Sequence, residues 1–406
     1  MDLHSGSFFW RATFPEAPVY KPMDEDVMCD VLIVGGGSSG AQCAYYFADS
    51  GLDVVVIEKS TVGSGTTSAT SALLQYSGGK MFSRLVNSFG IVYVTRHMQH
   101  LKGAIDEIEA AAGKVAIDFD FTRRDTLYFA SSPEDVRPLM DEYSFLKQHG
   151  FQVDFFAKRD IEDRYPFSKD AAIYCHEDGE MNPFKFAHAL LDYVSRKGIR
   201  VFENTEMNGH YYDDVEERMV IRTKTGHLIR ARRVIFAAGY ESMEIRKEKR
   251  ASFVSTFTVT TKPVADLSSW YRRTLIWETA RPYLYLRTTP DDRIIIGGLD
   301  ENTFFPEERD SMMIGKRDKL LEECRRLFPD IQVEPDYFLA AFYGRTVDSL
   351  PIIGVYNELP RCYFLFGFGD SGLVYSQTLA KFIASHILHG SVSDPEFEMY
   401  LPNRMK

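Results

Sequence analysis

The sequence has no C-x-x-C pair, and its five cysteines, Cys29, Cys43, Cys175, Cys324 and Cys362, are odd in number and widely scattered. That pattern argues against a disulfide framework, a zinc site and a dithiol redox centre, so no metal is expected. No apolar run approaches the roughly 20 residues that cross a bilayer, so no membrane span is expected. The first twenty residues, MDLHSGSFFWRATFPEAPVY, lack both a continuous apolar stretch and an early basic patch. They show no secretory signal, and the cytoplasm is the simplest compartment. Positive charge is in deficit: 47 Lys and Arg against 58 Asp and Glu leave a net charge of −11. No nucleic-acid partner is expected.

What is present describes a globular protein: 45% of the 406 residues are hydrophobic and 26% charged. The length suits roughly two or three domains. Aromatics reach 14%, which suits a well-filled core first and the walls of a flat, apolar ligand second. Short β-branched runs at Asp30–Val34, Asp53–Lys59 and Val234–Ala238 read as the buried strands of a parallel sheet. AQCAYYFADSG reads as a helix ended by Gly51, and a long helix begins near Ser371. Between these, 117–165 and 251–305 are strand-like, with alternation in YLYLR.

The alternation of α/β text with β text implies an α/β class, α+β overall, with two discontinuous domains. A parallel, Rossmann-type unit takes 26–90, 172–248 and 336–406. A smaller, mostly antiparallel unit takes 91–171 and 249–335, and 1–25 is a lead-in.

Gly35-x-Gly37-x-x-Gly40 sits between a predicted strand and a predicted helix. Gly35 permits the tight turn, Gly37 lets a pyrophosphate approach the backbone, and Gly40 lets the helix pack close to the strand. Ser38 and Ser39 open that helix, whose free N–H groups and dipole favour phosphate. Glu58 ends the second strand 18 residues after Gly40, placed for a ribose hydroxyl pair, with Lys59 beside it. The fingerprint alone serves NAD or FAD. Two features favour FAD: the hydroxyl-rich loop Gly63–Ser71, including Gly65, Thr66, Thr67 and Ser68, and the further glycine-ended segments. These are Val234–Gly239, with Ala238 and Gly239, and the turn of Gly369, Asp370, Ser371 and Gly372 leading to Leu373.

DVLIVGGGSSG, GSGTTSATSALLQ, EDGEMNPFKFAHALL, VIFAAG and GRTVDSLPIIG…FLFGFGDSGLVYS follow in an order and spacing that resembles the D-amino-acid oxidase, glycine oxidase and sarcosine oxidase family of flavoproteins. The resemblance runs from about Asp30 to the C-terminal helix, and its C-terminal combination is the more specific part. It implies an FAD domain with an antiparallel substrate domain and hydride removal from a carbon next to an amine, giving an imine. The substrate is a small molecule, an amino acid or secondary amine that bears a carboxylate. The family's carboxylate-binding arginine falls on Arg345, a residue type that forks onto a carboxylate, though Arg345 could instead pair with Asp348 or another acid. Tyr285 and Arg287, which alternate with Tyr283 on one predicted strand face, are further substrate candidates, or members of a packed ladder.

Several positions depart from the family. Asp370 stands where some relatives use a second substrate arginine, which opens the possibility of a substrate amine there. The lysine that some relatives hold over the flavin falls near Ile295 and is absent. The covalent-flavin Cys and His are missing, so the FAD is expected to be non-covalent. Gln75 stands about where hydroxy-acid-oxidising relatives often have a histidine. Two alternatives therefore stay open beside amine oxidation: a 2-hydroxy-acid or polyol dehydrogenase, and a flavin-binding subunit or assembly factor with little turnover. Oligomeric state and the electron acceptor are left open by the sequence.

Overall fold

The computed structural model describes residues 1–77, 80–390 and 395–404. In one of its two sheets, five strands run parallel side by side: Cys362–Phe366, Leu228–Phe236, Val27–Val34, Val54–Ile57 and Arg200–Phe202. Their apolar runs are near-continuous because both faces are covered. Val31 and Ile33 join a core with Ala41, Ala44, Leu190 and Val374 of the flanking helices, whereas Leu32 and Val34 join Met219, Ile221 and Phe364 on the opposite face. The helix Ser38–Tyr46 packs between Pro183–Ser195 and Gly372–His389.

The second sheet is antiparallel apart from the pairing of Leu275–Glu278 with Thr122–Phe129. Its middle is built from Pro335–Thr346, Ala251–Thr261, Ile294–Glu301 and Leu284–Thr288. Helix Pro306–Leu327 covers one face with Leu320, Leu321, Cys324 and Leu327. The sheet expected to be the smaller has ten strands against eight.

Three strands account for that difference. Leu73–Leu74, Ala171–Glu180 and Pro335–Thr346 lie in or at the edge of segments expected in the parallel unit, yet all pair in the larger sheet. Conversely, helix Ile91–Ala112, expected in the β unit, packs on Gly372–His389. The lead-in is itself structured: His4–Gly6 pairs with Leu339–Ala341, and Phe9 and Trp10 are buried with Phe184 and Ile295. Nothing local in a strand names its partner, so these joins are tertiary choices. All five cysteines are buried and unpaired. Among the described residues, no helix is long and apolar enough to cross a membrane.

Candidate active site

At the turn after Val27–Val34, Gly35 has φ +115°, and a Cβ there would lie 2.5 Å from the carbonyl oxygen of Ala237. A Cβ on Gly40 would sit 1.8 Å from the Gly35 oxygen, inside any permissible contact. The first helix therefore approaches the strand as only glycine allows. Gly37 is the N-cap of that helix and has no side chain to fill its end. The Ser38 N–H donates to Thr67 Oγ1 over 2.9 Å, which ties the hydroxyl-rich loop to the helix. Glu58 accepts the Gly36 N–H (2.8 Å) and the Ser60 N–H (2.9 Å) through separate oxygens. Burial pushes its carboxyl above the usual range, while those two N–H groups pull the other way.

Three cavities follow one another from this turn. The first, of about 600 Å3, is lined by Gly35, Gly37, Glu58, Lys59, Gly65 and Ala238 among others. The second, of about 150 Å3, shares Ser38, Ser39, Thr66, Thr67 and Gly239 with the first and continues past Tyr285 to Gly369, Gly372 and Leu373. The third, of about 480 Å3, shares Tyr283, Tyr343, Gly369 and Asp370 with the second and opens past Asp300 and Arg345. The chemistry of the first two suits a dinucleotide: they offer a turn stripped of Cβ atoms, a buried carboxylate and a helix N-terminus.

Three of the expected cofactor residues line neither of these two cavities. Gly40 sets the helix approach. Ser68 Oγ donates to the Gly63 oxygen over 2.6 Å, and Ser371 Oγ donates to the Gln75 oxygen over 2.9 Å. They hold the walls in place.

The two arginine candidates part company. Arg345 lines the outer cavity, half-exposed, with Nη2 donating to Asp300 Oδ2 over 2.7 Å. Its partner is not Asp348, which is held by Arg250 and Arg404. Arg287 belongs elsewhere and is withdrawn as a substrate residue. It is fully buried, donates to the carbonyls of Ser71, Ala72, Met181 and Thr288, and lies 3.4 Å from the buried Glu180. Strand alternation put it on the face of Tyr283 and Tyr285, but the loop at 71–72 and the strand ending at Glu180 close over that end. Tyr285 does line the second cavity, its hydroxyl 3.2 Å from Thr258 Oγ1. Ile295 packs with Phe9, Trp10 and Phe184.

Asp370 stands at the junction of the second and third cavities. Its Oδ1 accepts the hydroxyls of Tyr283 (3.0 Å) and Tyr343. Burial, reinforced by Asp370, pushes both phenols well above their ordinary range, so each remains a hydrogen-bond donor. Sequence reasoning missed Tyr343, although it shares a strand face with Arg345 two residues on. It also missed Asp300, which no local pattern marks, and Arg11, which reaches the first cavity from the lead-in.

Residues 30–386 match the DAO family, described as FAD dependent oxidoreductase. The chain belongs to this family. Among curated relatives, this oxidoreductase is 24% identical to gamma-glutamylputrescine oxidoreductase of Escherichia coli over 95% of its own length and 89% of the relative's. It is 24% identical to glycine oxidase of Bacillus subtilis over 90% and 94%. A putative Rieske 2Fe-2S iron-sulfur protein of Bacillus subtilis is 26% identical over 56% of this chain, and only 43% of that protein is covered. Among solved structures, glycine oxidase from Geobacillus kaustophilus superposes with a TM-score of 0.76 at 21% identity, covering 91% of this chain and 98% of that one. L-proline dehydrogenase from P. horikoshii superposes at 0.77 with 20% identity, covering 94% and 98%. The family thus fixes FAD as cofactor, and these two likenesses show the fold.

Proposed function

We propose that this oxidoreductase removes a hydride from the carbon next to an amine, giving an imine, on a small amino acid or secondary amine that bears a carboxylate. The carrying observation is the adjacency of the three cavities: the outer one shares Tyr283, Tyr343 and Asp370 with the cofactor slot and carries Arg345 in its wall. When bound, FAD supplies the electron sink. The chain's own residues bind and orient. Arg345 offers a two-pronged grip on a carboxylate, Tyr285 forms a wall of the slot, and the Tyr283–Asp370–Tyr343 cluster narrows the passage between substrate and cofactor.

Relatives named for gamma-glutamylputrescine, glycine and sarcosine support an amine substrate. Among the described residues, no Cys or His lines the second cavity or the outer one, and His4 lines only the first, which disfavours a hydroxyl substrate that needs a histidine base. The unpaired cysteines suit the cytoplasm.

The test is anaerobic mixing of the holoenzyme with amines, amino acids and 2-hydroxy acids. Bleaching of the flavin absorbance by an amine is expected. Bleaching by hydroxy acids alone refutes the proposal, and bleaching by dithionite but by no organic donor favours a subunit role.

A further inference from the structure

Asp300 is a buried carboxylate with work left undone. Its side chain is 4% exposed, its Oδ2 takes the Arg345 guanidinium, the Thr256 hydroxyl also favours its charged form, and its Oδ1 has no hydrogen-bond partner within bonding distance among the described residues. An unsatisfied oxygen on a buried acid is costly and calls for a donor, whether a water, an ion or a ligand. This oxygen belongs to a residue that lines the outer cavity. Asp370 lines the same cavity, and its charge is one of those that disfavour ionisation of Asp300. Of the other lining acids, Glu301 is bound by Lys316 and Asp135 by Ser132 and Thr279. Among the described residues, Asp300 keeps one oxygen without a donor, Asp370 is held by two tyrosine hydroxyls alone, and both line the cavity with an Arg345 guanidinium that is 45% exposed.

We infer that Asp300 and Asp370 are the seat of the substrate's ammonium group, and that a zwitterion binds by opening the Asp300–Arg345 pair and taking both places. This rests on the proposed function and adds to it a residue that selects for charge. The exchange conserves charge. One internal ion pair is replaced by two pairs with the ligand, carboxylate to Arg345 and ammonium to Asp300, and Asp300 Oδ1 gains the donor it lacks. A ligand with only the carboxylate takes Arg345 away and strands Asp300 as an unpaired buried charge. A ligand with only the amine strands nothing on Asp300 but leaves Arg345 without its partner. Selection thus falls on molecules that carry both charges close together, as an α-amino acid does.

The experiment is equilibrium binding to the oxidised holoenzyme under anaerobic conditions, read as perturbation of the flavin spectrum or, for reactive ligands, as half-saturation of bleaching. Matched probes are D- and L-proline against tetrahydrofuran-2-carboxylate, and glycine and sarcosine against acetate. In the unmodified protein a zwitterion should bind at least about tenfold more tightly than its amine-free partner. Asp300→Asn should abolish that preference by weakening the zwitterion while leaving the amine-free carboxylate unchanged or tighter, because Arg345 is released. Equal affinity for both members of each pair in the unmodified protein overturns the inference, and so does failure of every zwitterion to bind. This arm needs no variant, so it stands even where Asp300→Asn misfolds. An Asp300→Asn protein that weakens both members equally overturns it as well. Bleaching by amines with half-saturation unchanged in Asp300→Asn leaves the proposed function intact and removes Asp300 alone.

Discussion

The backbone N–H of Gly36 donates to Glu58 Oε2 over 2.8 Å, so the acid that follows strand Val54–Ile57 is locked against the turn that follows strand Val27–Val34. Glu58 is held from both sides, with Ser60 on its other oxygen. Glu58→Gln replaces one acceptor by a donor facing an N–H and removes the charge. The FAD dissociation constant should rise about tenfold to a hundredfold, the size of a charge-assisted hydrogen bond. Flavin fluorescence after ultrafiltration measures it, and unchanged retention removes Glu58 from the cofactor site.

Gly40→Ala and Gly103→Ala should have opposite effects. The first drives a Cβ to 1.8 Å from the Gly35 oxygen, backbone against backbone with no side chain to yield. Flavin-free or insoluble protein is expected. The second places a Cβ in open space within helix Ile91–Ala112 and should stabilise by up to about 1 kcal/mol. Thermal melts of the two variants decide the comparison.

Arg287→Met should act on stability and not on substrate affinity. It strips donors from three buried or half-buried carbonyls outside its own strand and leaves Glu180 without that cation, a loss of about 3–5 kcal/mol. Urea denaturation reads this. A raised KM in a variant of wild-type stability would return Arg287 to the substrate site.

Asp178 makes stability depend on pH. Burial pushes its carboxyl up to about 8, against the Thr126 hydroxyl and the Tyr76 N–H that favour the charged form. In the unfolded chain the same group ionises near its ordinary value of 3.8. The unfolded state therefore loses its proton first. Stability falls as pH rises from that value to about 8, by at most about 1.4 kcal/mol per unit, and the fall from this group ends above it. Asp178→Asn should flatten this part of the melting-temperature profile. An identical slope in both proteins counts against a neutral Asp178.

Arg11→Ala tests the lead-in. Arg11 lines the first cavity, donates to Ser68 Oγ over 3.1 Å and also reaches the Ser64 oxygen, while Trp10 Nε1 donates to the Thr70 oxygen over 2.7 Å. The segment thus clamps the loop that lines the first cavity. FAD should bind several-fold more weakly in Arg11→Ala, with the melting temperature of the flavin-free protein nearly unchanged. Unaltered FAD affinity would make Arg11 a surface residue.

The sequence by itself determined the glycine turn after strand Val27–Val34. Gly35, Gly37, Gly40 and Glu58 act through backbone dihedrals and contacts over one strand–turn–helix unit, and such local geometry is written in residue type and spacing. It determined the parallel strands for the same reason, since a run buried on both faces shows itself without its neighbours. The tertiary structure decided which arginine lines the outer cavity. Arg287 and Arg345 both lie on strands of the larger sheet, but one is sealed by the carbonyls of Ser71, Ala72 and Met181 while the other reaches Asp300 at the mouth. It also decided that Asp370 meets Tyr283 and Tyr343, and that Ala171–Glu180 joins the larger sheet. Those partners come from segments tens to hundreds of residues apart, and burial and charge pairing at such separations are properties of the assembled chain, not of any stretch of it.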